Sequence, residues 1–446
     1  MKKFYLKLSA LAAISAFLLT ACSPQTGGDA PATVAETDDN QVAETDSETA
    51  VATNTAAPTV EEAAPVEEPT ATAEIELDDD QILLEDGTVL FTTDDRSDRL
   101  ASLTRSWNTN WNRRIISTDE LLSGGPPRDG IPSIDDPQFV TPEEAEAWLA
   151  GNEPVIAVDL NGDARAYPLQ ILTWHEIVND TVGGVPVIVT FCPLCNSAIV
   201  FERTLEGEAV EFGTSGLLRN SDLVMYDRKT ETLWQQFTGE GLIGEKAGEQ
   251  LTFLPSAIIS FDNFREAYPD GMILSQETGF GRSYGRNPYA GYDTIGSNPF
   301  LFDGELDERL PAVARVVTVS LPNGIDVAYP LDVLIEEGVI NDKQGEQNLV
   351  IFHVGGTASA LGAPVIADAE DVGATGVFDP VLDGQLLTFR KEGNTIVDNE
   401  TGSTWNIVGE AIEGELEGER LARIVHADHF WFSWAAFRPD TIIYQP

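Results

Sequence analysis

Apolar and polar positions change rhythm several times along the chain. From Leu8 to Leu19 the residues are almost wholly apolar, with no alternation. From residue 23 to about 80 the apolar residues are small and scattered among Ala, Thr, Glu, Pro and Asp, with almost no aromatics. Such a stretch cannot bury enough apolar surface to offset chain entropy, so a disordered tether is expected. Ordered sequence is expected from about Ile82, with Trp107 and Trp111 as early anchors. Thr141-Pro142-Glu143-Glu144 predicts a helix start, with Thr at the N-cap, Pro first in the helix and Glu third. Ala145, Trp148 and Leu149 supply its apolar face. From Val155 onward, short apolar runs broken by Gly and Asn turns predict strands.

The rhythm repeats. Ala166-Tyr167-Pro168-Leu169 recurs as Ala328-Tyr329-Pro330-Leu331, and Asn179-Asp180 as Asn341-Asp342, each 162 positions later. Asp227, Thr230 and Trp234 are matched by Asp398, Thr401 and Trp405, 171 positions on. Phe264 and Pro269 match Trp434 and Pro439 at 170. Offsets that drift slowly with the order kept are what duplication with small insertions produces. The expected fold is α+β, strand-rich and predominantly antiparallel, with two internally repeated units in a pseudo-twofold arrangement. The expected segments are a leader at 1–21, a tether at 22–80, a lead-in with one capped helix at 81–150, unit 1 at 151–275, a connecting loop at 276–312 and unit 2 at 313–446. The loop contains Gly279 to Gly291, too rich in glycine and aromatics for regular structure.

Charge and the first residues change the picture. Lys2, Lys3 and Lys7 precede the apolar run, and Leu19-Thr20-Ala21-Cys22 closes it. This is the form of a secretory leader. The cysteine after small residues resembles the lipobox of bacterial lipoproteins, which implies cleavage before Cys22 and its lipidation. The expectation is a protein outside the cytoplasm, in the periplasm or on the cell surface, held to a bacterial membrane by lipid. The formal net charge is -48, from 26 basic and 74 acidic residues. That surface repels nucleic acid and suits cationic partners.

The strongest chemical signal is Cys192-Pro193-Leu194-Cys195-Asn196, between the apolar runs Val185–Phe191 and Ala198–Phe201. No helix pattern follows, as a thioredoxin-type CxxC would need. Strand, turn and strand resemble instead a metal knuckle, with Asn196 suited to a left-handed backbone. No second knuckle is present, so other ligands must be histidine or carboxylate. His175 is expected on a short helix sharing a face with Ile171 and Val178, with Glu176 and Asn179 as partners for its ring; the plainer reading is a hydrogen-bonded core histidine. In the second copy His353 falls where Cys192 falls in the first, allowing one gap, and is the fourth candidate metal ligand. His426 and His429 precede a heavily aromatic segment expected to pack as a closing helix. Arg219 and Asn220, and Arg282, Tyr284 and Arg286 of the glycine-rich loop, are candidate contacts for an anion, against the plainer reading of local salt bridges.

The segments DGIPSIDDPQFV at 129–140, AYPLQILTWHEIVND at 166–180, FCPLCNSAIVF at 191–201, LLRNSDLVMYDRKTETLWQQ at 217–236 and FWFSWAAFRPDT at 430–441 resemble the bacterial and archaeal domain-of-unknown-function family 3179. The resemblance runs from roughly Gly124 to the end. It implies that His175, Cys192 and Cys195 are part of the family pattern, and implies no activity.

Three functions follow from these residues. The first is binding of Cu or Zn by Cys192, Cys195 and His175. The second is a thiol-disulfide or other cysteine-dependent enzyme with His175 as base. The third is a surface scaffold in which the motif is a staple. No G-x-S-x-G elbow, P-loop or dinucleotide fingerprint occurs.

Overall fold

The computed structural model describes residues 77–84, 87–393 and 395–446. The expected leader, Cys22 and the tether as far as residue 76 lie outside the described residues. No helix among the described residues is long and apolar enough to cross a membrane.

The first long hairpin pairs Pro154–Leu160 (β1) with Asp163–Pro168 (β2). Asn161 and Gly162 form its turn, at φ 53° and 81°, a backbone that matches the twist of the strands. Val155, Ile156, Ala157 and Val158 are all buried, so β1 is covered on both faces. Pro168, with φ fixed by its ring, leads into helix α1, Leu169–His175. Glu176 ends α1 at φ 59°, a left-handed backbone rare for a residue with a side chain. The chain reverses there. The expected helical face shared by Ile171, His175 and Val178 is therefore corrected: Val178 belongs to the next strand, Ile177–Val182 (β3). β3 pairs with Val185–Cys192 (β4), and β4 with Ser197–Glu202 (β5) across the CPLC turn.

A second sheet contains Phe212–Arg219 (β6), Asp222–Asp227 (β7) and Leu233–Gln235 (β8). Asn220 and Ser221 turn between β6 and β7 at φ 52° and 66°, setting Arg219 opposite Asp222. Residues 275–314 contain no helix or strand beyond an isolated bridge at Arg286, as the glycine-rich loop led one to expect. Then come Arg315–Ser320 (β9), Asp326–Pro330 (β10), helix α2 at Leu331–Glu337, Val339–Gln344 (β11), Gln347–Val354 (β12) and Ala374–Asp379 (β13). Near the end Ala427–Phe430 (β14) runs beside β9 and enters helix α3, Trp431–Phe437.

Every strand pairing among the described residues is antiparallel except two: Met272–Leu274 along β2 and Ile442–Ile443 along β10. The architecture is strand-rich and antiparallel, with few and short helices. The Thr141 capping box forms, yet its helix spans only Pro142–Ala145; Leu149 is buried from the turn that follows.

Burial joins distant parts of the chain. Phe191, Phe201, Phe212 and Trp234 share one cluster with Leu361, Phe430 and Phe432. Phe261 and Phe264 share another with Phe352, Phe378 and Trp405. The Phe430 N–H donates to the Cys195 carbonyl at 2.9 Å, which ties the last long strand to the CPLC turn.

Candidate functional site

β4 ends on Cys192, and the chain turns at once. The Cys195 N–H donates to the Cys192 carbonyl at 3.2 Å, and the Asn196 N–H to the Pro193 carbonyl at 3.3 Å. Asn196 takes φ 50°, the left-handed backbone expected there, and Ser197 then pairs across from Cys192. Both sulfurs are thereby held on the inner side of one turn. Both cysteines are free thiols and both are buried.

The third group comes from the β6–β7 hairpin. Asp222, the first residue of β7, is fully buried. Its Oδ2 accepts from Gln235 Nε2 at 2.7 Å and from the Phe237 N–H at 3.0 Å. Its Oδ1 meets no N–H or O–H donor, and the two thiols are the remaining donors that face the carboxyl. One donor atom each from Cys192, Cys195 and Asp222 lies within 4.8 Å of the others. Around them Asn196 Oδ1 and Nδ2, Ser197 Oγ and Gln236 Oε1 are also buried without partners. Orphaned polar atoms at this density are unusual in a native interior and call for an explanation, an ordered water or an ion among them.

Burial governs the charges. It pushes Asp222 up to about 7, against the pull of Gln235, Phe237 and the two thiols. It raises Cys192, and raises Cys195 further because Cys192 and Asp222 face it. Glu176 stands at about 8, through burial first and the charge of Asp222 second. Glu176 also lines a cavity of about 720 Å³, with Leu194, Leu223, Tyr289, Tyr292 and Phe300 among its walls. Two thiols and the Asp222 carboxyl thus gather, with the charge of Glu176 acting on them. A bound cation is the group that would let them ionise.

A family model for proteins of unknown function, DUF3179, matches residues 128–441, a span that includes all four of these residues. The chain belongs to the DUF3179 family. No curated protein and no solved structure matches it.

In this DUF3179 chain the histidines stand apart from the sulfurs. His175 Nδ1 lies 2.7 Å from the Pro132 carbonyl, and Nε2 2.7 Å from the Tyr284 hydroxyl. A carbonyl only accepts, so Nδ1 carries the proton and Nε2 accepts from Tyr284. Both ring nitrogens are committed, and His175 is not in the cysteine group; the core-histidine reading describes it. His353 is not in the group either. Its Nε2 is 3.2 Å from the Val372 carbonyl. Hairpin register explains the correction. The Phe191 N–H donates to the Glu176 carbonyl, and the His353 N–H to the Gly338 carbonyl. His353 is therefore level with Phe191, one residue before the position of Cys192, and a one-residue step turns a side chain to the other face. The gap allowed in the sequence comparison does not exist.

The expected anion contacts do not converge. Arg219 Nε donates to Glu120 at 2.7 Å, and its guanidinium sits over Phe437. Asn220 serves the β6–β7 turn. Tyr284 is committed to His175, and Arg282 acts on both rings only through its charge. Arg286 contributes its carbonyl, which accepts from Trp174 Nε1 at 3.2 Å. The sequence reading did not place Asp222 beside the cysteines and took Glu176 only as a partner for His175. Asp222 had one visible signal, its place at the end of the Arg219-Asn220-Ser221 turn.

Proposed function

We propose that this DUF3179 protein binds one soft or borderline metal ion, Zn(II) or Cu(I), through Cys192, Cys195 and Asp222. The observation that carries the reading is the convergence of two free, buried thiols and the buried Asp222 carboxyl, with donor atoms within 4.8 Å of one another and no basic group bonded to them. Thiolates suit both ions, and a carboxylate suits Zn(II) better than Cu(I). Zn(II) would use all three donors and keep a fourth position for water or another ligand, whereas Cu(I) would use the sulfurs alone. The thiol-enzyme reading has less support. A nucleophilic cysteine needs a depressed pKa, and both thiols here are raised by burial. His175, the base that reading requires, has no free nitrogen.

The test is metal analysis of protein purified without an affinity tag, then Zn(II) and anaerobic Cu(I) titrations against a chelating indicator. One ion per chain is expected, lost in Cys192→Ser and Cys195→Ser. Asp222→Asn should weaken Zn(II) and spare Cu(I). Protein that takes up neither ion overturns the reading and leaves the motif a structural staple.

The rest of the reading concerns setting. The positive, apolar and lipobox-like order of residues 1–22 supports a lipid-anchored protein outside the cytoplasm. The charge of -48 supports cationic rather than nucleic-acid partners. Duplication into units at 151–275 and 313–446, joined by 276–312, is supported by matched side-chain contacts. Tyr167 donates to Asp180, and Tyr329 to Asp342. Asn179 brackets the Phe212 backbone as Asn341 brackets Phe389. Trp234 donates to Asp227, and Trp405 to Asp398, each at 3.0 Å.

A further inference from the structure

A second cavity, of about 280 Å³, lies between β5, β9 and β14, with α3 and the residue after it at one side. Its walls are mostly apolar: Ile199, Val200, Phe237, Phe253, Leu254 and Trp434. Its ionisable lining runs against the character of the chain. In a protein with 74 acidic and 26 basic residues, the charged or titratable groups here are His426, His429 and Arg438, and no carboxylate is among the lining residues.

The two imidazoles are short of partners. His426 Nδ1 lies 2.9 Å from the Ile424 carbonyl and so carries the proton. Its ring also faces the Thr375 backbone, and Nε2 is buried. His429 Nδ1 is buried and unmet, with the ring packed between Phe237 and Trp434. Both rings are more than nine-tenths buried, and burial keeps them neutral. Leaving such a nitrogen unpaired is costly in a buried setting. Arg438 is partly exposed; its Nε reaches Asp326 only at 3.5 Å, and one amino group caps the Phe437 carbonyl. The histidines are not part of any three-donor metal group among the described residues.

We propose that this cavity binds a small carboxylic acid with an apolar body. The carboxylate meets Arg438 and the His429 ring, and the body lies against Phe237, Phe253 and Trp434. This site is separate from the cysteine group, so either proposal can fail alone.

The probe is benzoate, titrated into the full chain and followed through histidine ring signals by NMR. The chain has four histidines, which keeps the spectrum readable. Saturable binding is expected, with the His426 and His429 signals moving and those of His175 and His353 fixed. The uncharged benzamide should bind at least about tenfold more weakly, since charge-assisted bonds are the strong ones. Arg438→Gln should erase that preference. Arg438 is at the surface, and should the variant not fold, the acid-against-amide comparison in the unaltered protein decides alone. Equal binding of the amide, or preference retained in Arg438→Gln, overturns the proposal. So does movement of the same signals by Zn(II) but not by the acid.

Discussion

At the residue scale, the site is defined by groups that are unwilling to ionise. Asp222 sits at about 7 and Glu176 at about 8 because burial penalises their charged forms. The consequence for stability has a definite sign. The folded, metal-free protein holds these protons where the unfolded chain has lost them, so its stability is greatest below the unfolded values near 4 and falls as pH rises to about 8. Thermal midpoints of metal-free protein should therefore drop between pH 5 and pH 8, and drop less in Asp222→Asn. An equal slope in the variant would place the effect in the general acidic surface instead. Metal binding carries the opposite dependence. Each thiol that ligates must give up its proton, so affinity should rise with pH, by about tenfold per unit for each proton released. Zn(II) titrations at pH 6, 7 and 8 measure that slope, and a flat profile contradicts ligation by buried thiols.

At the scale of elements, the local punctuation of the chain was readable. The Asn161-Gly162 turn, the Thr141 capping box and the strand-turn-strand form of CPLC with a left-handed Asn196 all follow from residue chemistry within a few positions. What sequence could not show is the meeting of different hairpins. Asp222 approaches the sulfurs only because β7 packs beside the CPLC turn, and nothing local to Asp222 encodes that distance. His175 is claimed by Pro132 and Tyr284, residues 43 and 109 positions away. His353 was misplaced because a gap was allowed where the β11–β12 hairpin admits none. Glu176 illustrates the cost of placing a side chain on a left-handed helix end. It holds φ 59° where Gly338 ends α2 at 73°. Glu176→Gly should stabilise the metal-free protein by about 1 kcal/mol, read as a higher thermal midpoint, because the left-handed backbone no longer carries a side chain. A lower midpoint would mean that the carboxyl is a structural contact.

At the scale of the molecule, the two halves of the folded chain share their cores. The clusters that hold Phe191 and Phe261 also hold Phe430 and Phe352. Neither half has its apolar surface covered without the other. Calorimetry should therefore record one cooperative transition for residues 77–446, and two separated transitions would show that the halves fold independently. The same interlocking surrounds the candidate metal group: β4, β7 and the entry to α3 are each tied to it by hydrogen bonds.

X-ray absorption on protein loaded with one Zn(II) tests the central claim most directly. The account predicts two sulfur neighbours at about 2.3 Å, with only oxygen or other light atoms completing the shell, no imidazole pattern, and one sulfur lost in Cys192→Ser. A shell built from imidazoles, or one containing no sulfur, would contradict it.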